Sequence, residues 1–141
     1  MIRLANVEDA LLIHEIMLSV FEEYRNIDVP SGTLNETISS IEEALGNGSE
    51  KALLCFLINV PHDTVRFKFG EKSLYFFRLS VCPEARRRGI AKSILSWLEN
   101  YAKEHRITEI WYRVQMSIPQ NIQLYQSVGY TVYKEKNRYT F

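Results

Sequence analysis

The stretch Val81-Cys82-Pro83-Glu84-Ala85-Arg86-Arg87-Arg88-Gly89-Ile90-Ala91 constrains this chain more than any other. An apolar, strand-length run beginning at Leu74 ends at Val81, and a proline turn, three arginines and a glycine follow. An amphipathic helix then begins. A strand that feeds a helix through a basic, Gly-containing turn points backbone N–H groups and a positive helix end at one place. Such a junction suits an anion of the phosphate or pyrophosphate kind.

The spacing narrows the choice. A P-loop needs Gly-x-x-x-x-Gly-Lys-Ser/Thr, and Lys92-Ser93 supplies its end, but Ala91 precedes Lys92 and Arg86 stands where the first glycine belongs. A dinucleotide fold needs Gly-x-Gly-x-x-Gly near the start of a βαβ unit, and only Gly89 is present here. What remains is Arg86-x-x-Gly89-x-Ala91 after a strand ending in Val-x-Pro.

Periodicity along the chain predicts the elements around this junction. Asn6 with Asp9 three residues on forms a helix-start signature. Ala10, Ile13, Met17, Val20, Phe21 and Tyr24 then recur at helical spacing, predicting a first helix over residues 7–24. Leu34, Ile38, Ile41 and Leu45 predict a second, closed by Gly46-Asn47-Gly48. Ala52 to Val60 reads as a strand turned by Pro61-His62-Asp63, and Thr64 to Phe69 as a half-buried strand. After Gly70-Glu71-Lys72-Ser73 comes the strand Leu74–Val81. Ile90, Ile94, Leu98 and Tyr101, beside Ala91, Leu95 and Ala102, predict a helix from Gly89 to about His105. Thr108 to Gln115 reads as a strand, and Pro119 opens a short helix over Gln120–Ser127 that Gly129 ends. Tyr130 to Phe141 predicts a strand pair with a turn near Lys136-Asn137. The order is ααβββαβαβ, which calls for an α/β (α+β, three-layer) architecture with helices flanking a mixed central sheet. No linker or repeat divides residues 1–141, so a single domain is expected.

The arginine turn, the preceding strand and the following helix resemble the acetyl-CoA-binding motif of the GNAT superfamily of N-acetyltransferases, and the element order is that of a GNAT domain. Leu124-Tyr125-Gln126-Ser127-Val128-Gly129-Tyr130 is similar to the superfamily's Leu-Tyr-x-x-x-Gly-Phe/Tyr signature, and Ile2-Arg3-Leu4-Ala5 with Glu8-Asp9-Ala10 is similar to many of its N-termini. The resemblance implies acetyl-CoA as co-substrate, with the pyrophosphate wrapped by Arg86, Arg87, Arg88, Gly89, Ile90, Ala91 and Lys92. It implies that Leu79, Ser80 and Val81 offer backbone groups to pantetheine, and that a bulge in their strand frees one N–H for the thioester carbonyl. It makes Tyr125 the general acid and a cofactor contact, since a thiolate of pKa near ~8.5 is within reach of a phenol. An asparagine that many members carry seven residues earlier is Ile118 here, and Asn121 is the candidate to compensate, or simply a cap.

Other roles stay open. An attacking ammonium of pKa near ~10 must lose a proton, yet Leu74–Val81 holds no carboxylate. Glu109 begins the next strand at its far end, and Glu22, Glu23 and Glu84 suit surface positions, so no base is assigned. The acceptor site is expected from the first two helices and the loop Asn26–Gly32, with Arg78 either binding a substrate carboxylate or pairing with a neighbouring acid. Cys82 occupies a variable position, which argues against a covalent thiol route.

Composition excludes several classes. Seventeen basic and seventeen acidic residues cancel, so no global field draws the chain to nucleic acid or a membrane surface. No apolar run approaches the ~20 residues of a membrane span, and the start lacks a signal-peptide pattern. Two cysteines and three scattered histidines form neither a disulfide framework nor a metal set, and a cytoplasmic enzyme without a metal is the expectation. Direct acetyl transfer to a primary amine of a small molecule or amino acid is the leading reading. A CoA-binding sensor or adaptor, and a transferase acting on a protein amine, are the alternatives. The aromatic tail (Tyr130, Tyr133, Tyr139, Phe141) serves either a homodimer interface or the domain's own sheet.

Overall fold

Among the described residues, seven strands form one mixed sheet in the order β1-β2-β3-β4-β5-β7-β6. The computed structural model describes residues 1–23, 36–81, 89–113, 131–133 and 136–140. In chain order the elements are β1 (Ile2–Leu4), a 3-10 turn (Val7–Asp9) running into α1 (Ala10–Glu23), α2 (Ile38–Gly46), β2 (Lys51–Leu57), β3 (Val60–Phe69), β4 (Ser73–Val81), α3 (Ile90–Glu104), β5 (Glu109–Arg113), β6 (Thr131–Tyr133) and β7 (Lys136–Thr140). Every described pairing is antiparallel except β4 with β5. The α/β architecture with helices on both faces of a mixed sheet is the one expected. The short helix read over Gln120–Ser127 lies outside the described residues.

Strand alternation divides the core between the two faces. On β2, Leu53 and Cys55 turn to one side, where they meet Val65, Phe67, Leu74 and Phe76 of the sheet and Ile94, Leu95 and Leu98 of α3. Ala52 and Leu54 turn to the other, against Ala10, Ile13 and Met17 of α1 and Ile41 of α2. Buried side chains of this size each stabilise the fold by about 1.5–3 kcal/mol, which is what fastens both helical layers to the sheet.

Three departures from the sequence reading have clear causes. Ile2–Leu4 forms an edge strand on β2, with Ile2 opposite Cys55, although three residues are too few to show a period. The β2–β3 turn lies at Ile58-Asn59, both with positive φ (48° and 63°), and Pro61, His62 and Asp63 belong to β3. Two positive φ values make a type I′ hairpin, which normally calls for Asn-Gly; an isoleucine there, 91% exposed, conceals the signal. Pro61 is tolerated because β3 bulges beside it and β4 ends at Val81, opposite Asp63. Lys136 and Asn137 lie within β7, paired with Tyr133 and Val132, so the last turn precedes them.

The helix ends follow local chemistry. Thr37 and Ser40 form a reciprocal cap at the start of α2; Leu34, read as part of that helix, lies outside the described residues. Beyond α3, Arg106 adopts φ 59°, the Ile107 N–H donates to Ala102 O (2.9 Å) and the Arg106 N–H to Lys103 O (3.2 Å). That is a Schellman ending with arginine in place of glycine. At the first turn, Asn6 Oδ1 accepts from the Glu8 N–H (3.0 Å) and Asp9 Oδ2 from the Asn6 N–H (2.9 Å). Arg3 of β1 grips Asp9 with two bonds of 2.8 and 3.1 Å. The Arg3 guanidinium holds the Asp9 carboxyl below the ordinary carboxylate range, helped by the Asn6 amide and opposed by burial.

A carboxyl whose folded pKa is depressed stabilises fully above its unfolded pKa of ~3.9, and loses that effect as pH falls through the folded value. Asp9→Asn should therefore cost about 0.5–2 kcal/mol at pH 7. Urea denaturation at pH 7 and pH 3 should show the gap between variant and wild type narrowing at the lower pH. A gap of unchanged size would contradict this account of the cap.

Candidate active site

The register of β4 breaks at one place. Ser80 lies opposite Thr64 and Phe77 opposite Arg66, so Arg78 and Leu79 together oppose Val65. This is a β-bulge, and Arg78 carries it with φ 55°, in the left-handed region. Leu74 and Phe76 point into the α3 core, and alternation would send residue 78 after them. The extra residue reverses the alternation: Leu79 packs with the α3 core, while the Arg78 side chain reaches Glu36 on the opposite face. A bulge in this strand was implied by the resemblance alone, because Arg-Leu-Ser bears no local mark of one.

The neighbouring strand leaves β4 just before the bulge. β5 pairs with β4 only from Ser73↔Glu109 to Tyr75↔Trp111, and both strands run on. From Phe77 to Ser80, β4 has no β5 partner among the described residues and presents an edge that an extended ligand can join by backbone hydrogen bonds. Ser80 is buried, while Leu79 and Val81 are half-buried along this edge. Glu109 sits at the closed end of the pair, remote from the bulge.

α3 starts beyond the same end of β4. Gly89 caps it in a left-handed conformation (φ 72°) without a side-chain cap, and Ser93 Oγ donates to Gly89 O (3.1 Å). The Ser93 N–H donates to Gly89 O (3.0 Å), so the amides of Ile90, Ala91 and Lys92 lie ahead of the helix's own ladder. A Cβ built on Gly89 meets no heavy atom within 4 Å. The positive φ by itself accounts for glycine, and the space above it leaves room for a group that approaches the backbone closely. These features suit an anion such as a phosphate or diphosphate. Arg86, Arg87, Arg88, Cys82, Asn121 and Tyr125 lie outside the described residues, as does the loop Asn26–Gly32.

The face of the sheet towards α1 and α2 carries a charge network that the sequence reading missed. Arg66, with a side chain 5% exposed, donates from Nε (3.1 Å) and Nη2 (2.5 Å) to Glu50 Oε1 and from Nη1 to Glu36 Oε2. Glu36 Oε1 accepts from Arg78 Nε at 2.9 Å, which answers the open question about Arg78: it pairs with an acid. The Glu36 backbone carbonyl also contacts His14 Nε2 of α1 (3.1 Å). The Arg66 guanidinium stands 5.1 Å above the Phe77 ring, and Tyr75 stacks on Trp111 at 4.2 Å. Glu36 and Glu50 flank α2, and neither belongs to a local motif. They meet the arginines only when the sheet is assembled. Cys55 is buried, and burial with the Asp63 carboxylate nearby pushes its thiol pKa up, so it is no nucleophile.

Residues 36–130 match the model of the acetyltransferase (GNAT) family. In structure the chain is similar to the PaiA N-acetyltransferase of Thermoplasma acidophilum in complex with coenzyme A (TM-score 0.80, 16% identity, 100% of this chain and 99% of that one). It is also similar to a predicted acetyltransferase of Clostridium acetobutylicum with acetyl-CoA (TM-score 0.74, 20% identity, 96% and 92%) and to a GNAT-family acetyltransferase of Streptococcus pneumoniae (TM-score 0.80, 16% identity, 100% and 99%). No curated protein matches the chain in sequence.

Because Arg66 pairs with two carboxylates that are only 15% and 21% exposed, its removal strands Glu50 and leaves Glu36 with Arg78 alone. Arg66→Met should cost about 3–5 kcal/mol in chemical denaturation. The double variant Arg66→Met, Glu50→Gln should recover part of that loss, since it removes the stranded carboxylate and keeps Glu36 paired with Arg78. A single variant as stable as wild type would show that the network contributes nothing.

Proposed function

The chain belongs to the acetyltransferase (GNAT) family, and from that premise we propose that it moves an acetyl group from acetyl-CoA directly to a primary amine of a small molecule or amino acid. The observation that carries this reading is the conjunction at β4: a bulge at Arg78–Leu79, an edge left open by β5 from Phe77 to Ser80 among the described residues, and a glycine-capped α3 start at Gly89 that follows the strand. Structures of the same fold with coenzyme A and with acetyl-CoA support it.

Acetyl-CoA supplies an activated acyl group, and the rest falls to residues of this chain. The Gly89–Lys92 amides, together with Arg86, Arg87 and Arg88, hold the pyrophosphate; each charge-assisted bond is worth about 1.5–3 kcal/mol. Leu79, Ser80 and Val81 align pantetheine along the open edge, and a bulge amide donates to the thioester oxygen, where negative charge develops. Tyr125 returns a proton to the departing sulfur. Asn121 takes the place of the family asparagine that Ile118 has replaced. No thiol ester forms on the enzyme: Cys55 is buried, and direct attack by the amine needs no thiol. One domain over residues 1–141 accommodates the whole site. The free, buried Cys55 accords with a reducing, cytoplasmic setting.

Calorimetry with CoA tests the donor half. Wild type should release heat on binding, and Gly89→Val, which fills the space above the helix start and strains φ, should weaken affinity by about 10-fold or more. Equal affinity in both proteins would move the pyrophosphate elsewhere. Tyr125→Phe tests the acid: turnover should fall by about 10²-fold while CoA affinity is kept. Binding without any turnover across an amine panel would identify a sensor instead.

A further inference from the structure

The two arginines on the α1–α2 face are used differently. Arg66 is closed on every side, with Nε and Nη2 on Glu50 and Nη1 on Glu36. Arg78 is bonded at Nε alone, to Glu36 Oε1, and its side chain is 23% exposed. A guanidinium has five donors in a fixed fork, so Arg78 keeps its Nη1 and Nη2 hydrogens without a partner among the described residues. The carboxylate that orients it is itself immobile, because Arg66 grips its other oxygen. Arg78 is also the bulged residue, so whatever binds its fork lies beside the backbone proposed to hold the acyl carbonyl.

From this geometry we infer that Arg78 is an acceptor-binding residue, and that the amine acetylated here carries an oxyanion, a carboxylate or a phosphate, which takes the free end of the guanidinium. The inference rests on the transferase reading and names the substrate class for the same site. Charge agrees with it. Three cations (Arg66, Arg78 and Lys68) meet two carboxylates (Glu36 and Glu50), and the Lys68 ammonium stands over Tyr75 and Phe77 at 5.6 and 5.9 Å. Among the described residues one positive charge is left in excess, which opposes an acceptor with a second ammonium and attracts one with an anion. The bulge explains the placement. In an unbroken strand the residue-78 side chain would enter the α3 core beside Phe76, where an arginine has no partner.

Matched amines test this with acetyl-CoA as donor: L-amino acids against their carboxamides, 4-aminobutyrate against 1-aminobutane and 1,4-diaminobutane, and O-phosphoethanolamine against ethanolamine. Wild type should prefer the anionic member of at least one set by about 10- to 150-fold in kcat/KM, chiefly through KM. The carboxylate and phosphate arms report which oxyanion the site takes. Arg78→Met should bring that ratio towards one, and Arg78→Lys, which keeps the charge and loses the fork, should fall between. Neutral or cationic members used as well as the acids, no anionic member acetylated, or a ratio that survives in Arg78→Met would each overturn the inference. The wild-type ratio decides even if a variant fails to fold. CoA calorimetry on wild type separates the two failures: absence of heat removes the transferase reading, whereas heat without an acid preference removes this inference alone.

Discussion

β4 can hold β5 for only three residues, and most of what is distinctive in this molecule depends on that limit. A central strand normally satisfies its backbone on both edges, yet among the described residues one edge of β4 is released from Phe77 to Ser80. Leu74 and Phe76 still anchor the strand to the α3 layer, and β3 still pairs along its whole length apart from the bulge. The strand is therefore rigid while its backbone stays available. A binding surface made of main-chain groups needs that combination, since a mobile strand would lose affinity to the entropy of ordering.

The bulge adds a second asymmetry. By reversing the alternation it puts a cation on the face opposite the α3 core, among Arg66, Phe77 and Glu36. A left-handed arginine costs roughly 1–2 kcal/mol of backbone strain. The ion pair with Glu36, largely shielded from water, offsets a cost of that size. Glu36 is thus bonded to β3 and β4 through its side chain and to α1 through its carbonyl, at the entry to α2. Charge and backbone geometry support each other here, and neither arrangement is explained without the other.

Much of the fold was legible in the residues. The heptad-like apolar spacing of α3, the capping signature at Asn6 and Asp9, and the strand Leu74–Val81 all predict what is observed. The failures share a physical origin. Ile2–Leu4 becomes a strand through its partner β2, and the hairpin at Ile58-Asn59 adopts a conformation its first residue disfavours. Glu36 is 42 positions from Arg78 and 30 from Arg66, and periodicity reports only local order. Of the candidate site, Gly89 and the β4 edge could be read as motifs. The network around Arg66 became visible only when three strands and two helices met.

α3 is tied down very unevenly. Its tail is locked by the Arg106 turn, and Thr108 is fastened to Lys72 O through both its N–H (3.0 Å) and its Oγ1 (3.2 Å). At its head, the side-chain bond found among the described residues, Ser93 Oγ to Gly89 O (3.1 Å), is internal to the helix. Fifteen residues make a rod of about 22 Å, so a tilt of about 5° at the hinge sweeps the front by about 2 Å. Such a lever would let the helix start shift on the scale of a bond length or more while the hydrophobic layer near the pivot keeps its packing.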